Sequence, residues 1–274
     1  MKRIVSICPS NTEILYFLGL DQQIVGLDNY SDWPSEWSHL PRLGPDLDID
    51  IEKVKALEPD LVVASLSVPG MEKNIERLEQ ASLPYIILNP KSLHDIPQDI
   101  LKLGRALGLD ETATRVANRF QIELEQIQAH IPKRSNPEKL YWEWWPKPVF
   151  SPGKHNWLTD VTRLVGATHI FEEIEQESVQ ADWETVAQKQ PDRCLIVWTG
   201  IPISRVRKEL ITSRPPFHGK KFATPERIHI LEEGWYCRPS PRLLTGIKYL
   251  AHLLYPESFT IPDSNNPFQD NRIQ

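Results

Sequence analysis

The sequence is poor in the residues and patterns that announce chemistry. Cysteine occurs three times, as Cys8, Cys194 and Cys237, too few and too scattered for a disulfide framework or a zinc knuckle. Cys8 and Cys194 fall on apolar, strand-like segments, so buried free thiols are expected. No run approaches the ~20 apolar residues of a membrane span. Met1 is followed by KRIVSICPSNTE, whose polar turn comes too early for the apolar core of about 7–15 residues in a secretory signal. The chain as written is therefore expected to be cytoplasmic, and a start codon further upstream would make it periplasmic or otherwise extracytoplasmic. An excess of positive charge is also missing. With a net charge of −6 and a sequence pI near 5.8, neither nucleic acid nor an anionic membrane surface is expected as a partner.

Catalytic signatures are absent too. There is no GxGxxG, Walker loop, HExxH or GxSxG. The eight histidines show no pair at i, i+4 and none near a cysteine in ligand spacing. His39, His155 and His169 are the set that convergence in space would have to gather into a metal site, and scattered histidines are more often surface or core residues. No catalytic residue, no metal and no required cofactor is assigned.

What is present is periodicity. In DETATRVANRFQIELEQIQAHI, Asp110 to Ile131, the apolar residues Ala113, Val116, Ala117, Phe120, Leu124, Ile127 and Ile131 step by three and four, which predicts one amphipathic helix. Asp110 is placed to cap it, Glu111 suits its positive end, and Pro132 stops it. At about 1.5 Å per residue it is roughly 33 Å long. Before it, strand-like segments (Ile4–Cys8, Ile24–Asp28, Leu61–Ser65, Tyr85–Asn89) alternate with helical ones. After it the alternation resumes with Leu140–Trp145, Asn156–Val165, Trp183–Gln190, Cys194–Trp198, a helix Ser204–Ile211, Ile228–Leu231 and Arg242–Leu254. Fully apolar strands such as LVVA and YIIL argue for parallel sheets covered by helices. The expected organisation is an N-terminal α/β lobe (1–109), a bridging helix (110–131), a C-terminal α/β lobe (132–255) and an irregular tail (256–274).

A weak repeat links the two halves. Asp50, Glu52, Val54, Pro59 and Asp60 recur at identical spacing as Asp182, Glu184, Val186, Pro191 and Asp192. Each set falls on a helix start followed by Pro-Asp and a strand, with Asp placed to cap and Glu in the first turn. Capping alone accounts for that pattern.

The blocks RIVSICPSNTEILYFLGL, VGLDNYSDWP, KALEPDLVVAS, FSPGKHNWLTDVTRLVGATHIFEE and EEGWYCRPSPRLLTGIKYLAHLL resemble, in order and from Arg3 to about Tyr255, the helical-backbone (class III) solute-binding proteins of ABC importers, especially the cobalamin (vitamin B12) binders. The resemblance implies two Rossmann-like α/β lobes joined by one long helix, a ligand held between the lobes, a monomeric non-enzymatic protein, and an importer permease as partner. It implies that Glu52 and Glu184 are the docking carboxylates, one per lobe, that meet permease arginines. It also implies ligand contacts at Tyr30, Phe150 and Arg238. Other contacts of the family differ here: its first-lobe tryptophans fall near Pro45 and near Ser65 and Leu66, a second-lobe one near Ser178, and an acidic contact at Gly234.

Tyr30, Trp33, Trp145, Phe150, Trp235 and Tyr236 together would make an aromatic wall suited to a macrocycle such as a corrinoid, or to an iron chelate, since rigid aromatics cover area at low entropic cost. Core filling is the competing explanation for each. The basic run Arg205 to Lys221, with Arg207, Lys208, Arg214 and Lys220, reads as a solvated helix face or a contact for an anionic ligand. The expected function is capture of a corrinoid for an ABC importer. The alternative is a cytosolic protein that reuses the fold for handling haem, an iron chelate or a metal, or for an unrecognised enzymatic activity.

Overall fold

The computed structural model describes residues 2–268, and the chain divides into two units, Met1–Pro90 with His94–Gln121 and Lys91–Leu93 with Ile122–Gln274. The first unit runs β1 (Ile4–Ser6), α1 (Pro9–Phe17), β2 (Ile24–Leu27), α2 (Ile51–Ala56), β3 (Leu61–Ser65), α3 (Glu72–Gln80), β4 (Tyr85–Leu88) and α4 (Asp95–Leu107). Its four strands pair in parallel in the order β2-β1-β3-β4. The alternation of strand and helix requires this arrangement, because a parallel neighbour is reached only by crossing over a face. Ile4, Val5, Val62, Val63 and Ala64 are wholly buried, as central parallel strands covered on both faces should be.

α5 (Asp110–His130) follows at once, and Ala113, Ala117, Phe120, Leu124 and Ile127 form its buried stripe. The Leu109 carbonyl accepts the Ala113 amide. Leu109 therefore holds the cap position expected of Asp110, which is the first residue of the helix instead. Gly104 lets α4 and α5 approach: a Cβ there would lie 2.2 Å from the Ala113 Cβ.

The second unit contains β5 (Lys139–Glu143), β6 (Trp145–Pro146), β7 (Val149–Pro152), α6 (Trp157–Leu164), β8 (Thr168–His169), β9 (Ser178–Ala181), α7 (Trp183–Lys189), β10 (Arg193–Ile196), α8 (Glu209–Thr212), β11 (Ile228–Ile230), α9 (Glu233–Tyr236) and α10 (Leu243–Leu254). Its parallel sheet has the order β11-β10-β5-β8, and β6, β7 and β9 form a separate antiparallel sheet that the sequence pattern did not disclose. Read from the other edge, β8-β5-β10-β11 repeats the plan of β2-β1-β3-β4. α2 feeds β3 as α7 feeds β10, so the two halves of the sequence repeat occupy equivalent places in their units.

One expectation needs correction. The helix expected over Ser204–Ile211 is a 3-10 turn at Ile203–Arg205 followed by the four-residue α8. The buried anchors Val206, Ile211, Phe217 and Phe222 are five or six residues apart, a spacing that suits an irregular chain laid over a core and not a period of 3.6. Residues 256–268 are draped and pinned: Trp235 Nε1 donates to Asn265 Oδ1 (2.8 Å), and the Phe259 carbonyl meets His252 Nδ1 (2.6 Å). The rest of the expected irregular tail, 269–274, lies outside the described residues.

Candidate functional site

In open parallel sheets the loops at the carboxyl ends of strands are where ligands bind. In the first unit Tyr30 stands on the loop after β2 and is 46% exposed. The loop beneath it is rigid. Buried Asp28 accepts the Tyr30 and Ser31 amides through Oδ1 (2.7 and 3.0 Å) and the Ser31 hydroxyl through Oδ2, while Arg42 donates to the Asp28 and Ser31 carbonyls (2.9 and 2.7 Å). The Asn29 amide bonds the Gly44 carbonyl (2.8 Å), which ties this loop to the next one. Gly44 itself has φ 107°, and a Cβ there would meet the Asp48 carbonyl at 2.8 Å, so glycine is required.

The adjoining loops carry two exposed aliphatic residues that the sequence did not single out, Leu47 and Val68. Leu47 is held outward from both sides. Asn74 of α3 donates to the Asp46 carbonyl (2.6 Å) and accepts the Ile49 amide (3.1 Å), and Arg77 pairs with Asp48 at 2.6 Å. Val68 follows β3, and a Cβ on nearby Gly70 would lie 3.7 Å from Leu47 Cδ2. Tyr30, Leu47 and Val68 therefore sit on connected loops at one end of the sheet.

In the second unit Trp145 and Phe150 are register partners across β6 and β7, and Phe150 is in turn opposite Gln180 of β9. Directly opposed residues share a face of an antiparallel sheet, so Trp145, Phe150 and Gln180 make one row. Trp145 is exposed, Phe150 half-buried and Gln180 exposed.

Among the remaining sequence candidates, one is a correction. Tyr236 is wholly buried and its hydroxyl donates to the Gly246 carbonyl (2.7 Å), so it packs the core and presents no surface to a ligand. Trp33 is half-buried with its ring edge-on to Tyr16 (centroids 4.6 Å) and tilted against Phe17 (5.5 Å), in an aromatic cluster at the C-terminal end of α1. Trp235 bonds the tail and lies 5.8 Å from the Tyr249 ring. Arg238 is buried and donates to Glu233 Oε2 at 3.0 Å.

The two repeat carboxylates are placed alike. Asp50 caps α2 by accepting the Lys53 amide (3.2 Å), and Asp182 caps α7 by accepting the Thr185 amide (2.7 Å). Hydrogen bonding from the capped turn lowers both aspartate pKa values. Glu52 and Glu184, two residues on, point to solvent. Glu52 is paired with Lys55 at 2.9 Å.

Behind the Trp145 hairpin lies a buried ionic network. Glu143, the last residue of β5, accepts from both terminal guanidinium nitrogens of Arg214 (2.5 and 2.7 Å), the Tyr141 hydroxyl (2.6 Å) and Trp198 Nε1 (2.9 Å). Burial and the neighbouring carboxylate push the Tyr141 phenol well above its usual range. The Arg214 guanidinium also lies 4.6 Å from the Trp183 ring centre, beside Glu184. The histidines are dispersed: His39 meets the Glu36 carbonyl and His155 meets Glu175. His169 is buried between the Leu140 and Pro152 carbonyls, and burial pushes its pKa down to about 4. Among the described residues no three His, Cys, Asp or Glu side chains gather at metal-binding range. Cys8 and Cys194 are buried free thiols and Cys237 is a half-buried one; burial pushes Cys8 up to about 11 and raises the other two as well.

Two α/β units of one strand plan, joined by a single long helix and offering exposed apolar side chains on rigid strand-end loops, define a two-lobed solute-binding architecture. The family described as "Periplasmic binding protein" matches residues 4–223. The chain belongs to that family of ABC-importer solute-binding proteins. Its relatives include the Vitamin B12-binding protein of Pectobacterium atrosepticum, 26% identical over 257 residues (92% of this chain and 88% of the relative). An uncharacterized ABC transporter substrate-binding lipoprotein of Bacillus subtilis is 27% identical over 94% of this chain and 81% of its own length. Among solved structures, the periplasmic vitamin B12 binding protein of Vibrio cholerae superposes with a TM-score of 0.76 at 24% identity, covering 93% of this chain and 97% of the other. The periplasmic heme-binding protein of Roseiflexus sp. gives 0.81 at 22% identity, covering 94% and 99%. At these identities the superpositions speak for the fold.

Proposed function

We propose that this protein is a non-enzymatic, monomeric capture protein that binds a corrinoid and delivers it to an ABC importer. One observation carries the reading: in each unit, exposed apolar or aromatic side chains stand on hydrogen-bonded supports at strand ends, Tyr30 with Leu47 and Val68 in one and Trp145 with Phe150 in the other. Such preformed, partly exposed apolar surface suits a large, flat, rigid ligand. The likeness to vitamin B12-binding proteins along nine-tenths of the chain favours a corrinoid. Heme-binding proteins of the same fold make haem the comparator.

Calorimetric titration with cyanocobalamin, haem and an iron–siderophore tests this. One-to-one binding of cyanocobalamin at micromolar Kd or tighter is expected. Tyr30→Ala combined with Phe150→Ala should weaken it about five- to thirtyfold, because truncating two aromatic contacts removes on the order of 1–2 kcal/mol, with the melting temperature little changed. Preference for haem would reassign the ligand, and unaltered affinity in the double variant would remove these residues from the site.

Glu52 and Glu184 are, in the same proposal, the permease-docking carboxylates. Both lie on capped helix starts where their geometry is fixed by Asp50 and Asp182. Exchanging both for Lys should weaken association with the solubilised permease by at least about tenfold while leaving ligand titrations unchanged, since interfacial charge reversal acts through repulsion at the contact. Normal association of that variant would exclude the docking role.

A further inference from the structure

We propose that the outer side of residues 200–221 is a peripheral contact surface for an anionic phospholipid bilayer. The proposal rests on the importer reading only for what brings a membrane close. The whole-chain charge of −6 conceals the local balance: between Gly200 and Lys221 there are six Lys and Arg residues and one acid, Glu209. Arg214 is internal to the fold, neutralised by Glu143, and Lys208 donates to the Pro225 carbonyl. The side chains of Arg205, Arg207, Lys220 and Lys221 are exposed and make no hydrogen bond or ion pair among the described residues. The cations beside Glu52 differ, for Lys53 and Lys55 are paired with Asp50 and Glu52.

The geometry of the segment gives it one outer side. Val206, Ile211, Phe217 and Phe222 all enter one apolar cluster of the second unit, and Arg214 is tied below them to Glu143. The exposed residues between these anchors, and Ile203 and Arg205 just before the first of them, therefore lie on the side away from that core. With the cations on this side stand Ile203 and Leu210, two large aliphatic side chains 44% and 43% exposed. Unpaired cations interleaved with exposed aliphatics are the composition that binds at an anionic lipid interface, charge drawing the surface in and the aliphatics entering the headgroup boundary. The segment is also next to the proposed docking helix: the 215–217 turn packs on α7, and Arg214 lies over Trp183, the neighbour of Glu184. A surface adjoining a carboxylate that docks on a membrane protein would face the bilayer around it.

Flotation of the purified chain with vesicles tests this directly, comparing phosphatidylcholine alone with phosphatidylcholine containing about 30 mol % phosphatidylglycerol, at low and at raised salt. At least tenfold preference for the anionic vesicles is expected, falling as salt rises. Arg205→Glu with Arg207→Glu should abolish the preference, and Ile203→Asp with Leu210→Asp should lower binding severalfold. Lys147→Glu, at an exposed site elsewhere, should leave it unchanged. All of these positions are exposed, so melting temperatures should stay near that of the parent. Equal binding to both vesicle types, no binding to either, or insensitivity to the charge reversal would overturn the proposal. Binding to heparin but to no vesicle would overturn it in favour of a soluble polyanion or an acidic protein. Since no importer and no solute is present, failure here leaves the capture reading intact, and failure of the ligand titrations leaves this result unaffected.

Discussion

Arg214→Met is expected to lower the unfolding free energy of the second unit by about 3–5 kcal/mol, the usual cost of leaving a buried charge without its partner. Glu143 is wholly inaccessible and Arg214 nearly so, and both carboxylate oxygens of the one are engaged by the guanidinium of the other. Methionine fills a similar volume but provides no positive charge. Tyr141 and Trp198 still donate to the carboxylate, and two neutral donors do not replace a cation in a poorly solvating interior. The double variant Glu143→Leu with Arg214→Met should recover most of the loss, because a buried ion pair exchanged for apolar side chains is often nearly neutral. Seven of the nine tryptophans lie in the second unit, so fluorescence during urea unfolding reports chiefly on it. A single variant as stable as the parent, or a double no better than the single, would contradict the assigned role of the pair.

Asp99→Asn is expected to raise stability by about 3 kcal/mol at pH 8. Burial of its carboxyl on α4 moves the pKa from the ordinary 3.8 to about 6, against the opposing pull of Lys102 and the Asn89 amide. The sign follows from linkage. Above pH 6 the carboxylate is charged in both states and the folded state bears the desolvation. As pH falls from about 6 towards 3.8 the folded form takes up its proton first, and the wild type regains stability. Below 3.8 both states are neutral there and the penalty has vanished. The advantage of the Asn variant should therefore be full at pH 8, shrink through pH 6 and be lost near pH 4, as urea midpoints across that range would show. A benefit that persists at pH 4 would assign it to packing instead.

The long helix and the parallel sheets were legible because each obeys one strong period: the apolar stripe from Ala113 to Ile127, and strands such as Leu61–Ser65 that are apolar throughout. The antiparallel sheet escaped notice because β6 has two residues, β7 four, and both contain proline, which weakens any strand signal. The basic segment imitated a helix because charges separate Val206 from Ile211, although its anchors keep no helical spacing. Tyr236 was misassigned with Trp235 as part of a pair of aromatics. In a helix successive residues diverge by about 100°, so when one stays at the surface its neighbour turns inward. Leu47 and Val68 were invisible for a different reason. An aliphatic residue in a loop has no periodic partner, and what fixes Leu47 outward is Asn74, which lies 27 residues further along the chain. The caps Asp50 and Asp182, by contrast, were readable because capping is local, whereas Asp110 proved to be the first residue of its helix and not its cap.

The pairing of Trp145 with Phe150 places the chemical character of that surface under the control of hairpin length. Along β7 the side chains alternate, with Val149 and Ser151 buried and Phe150 turned to the other side. Adding or removing one residue in the turn at Lys147–Pro148 would shift the strand by one position against β9 and reverse that parity, bringing a valine or serine to the surface and folding the phenylalanine inward. A single inserted codon in the turn would therefore change the character of this face, with every residue of the strand itself left as it is.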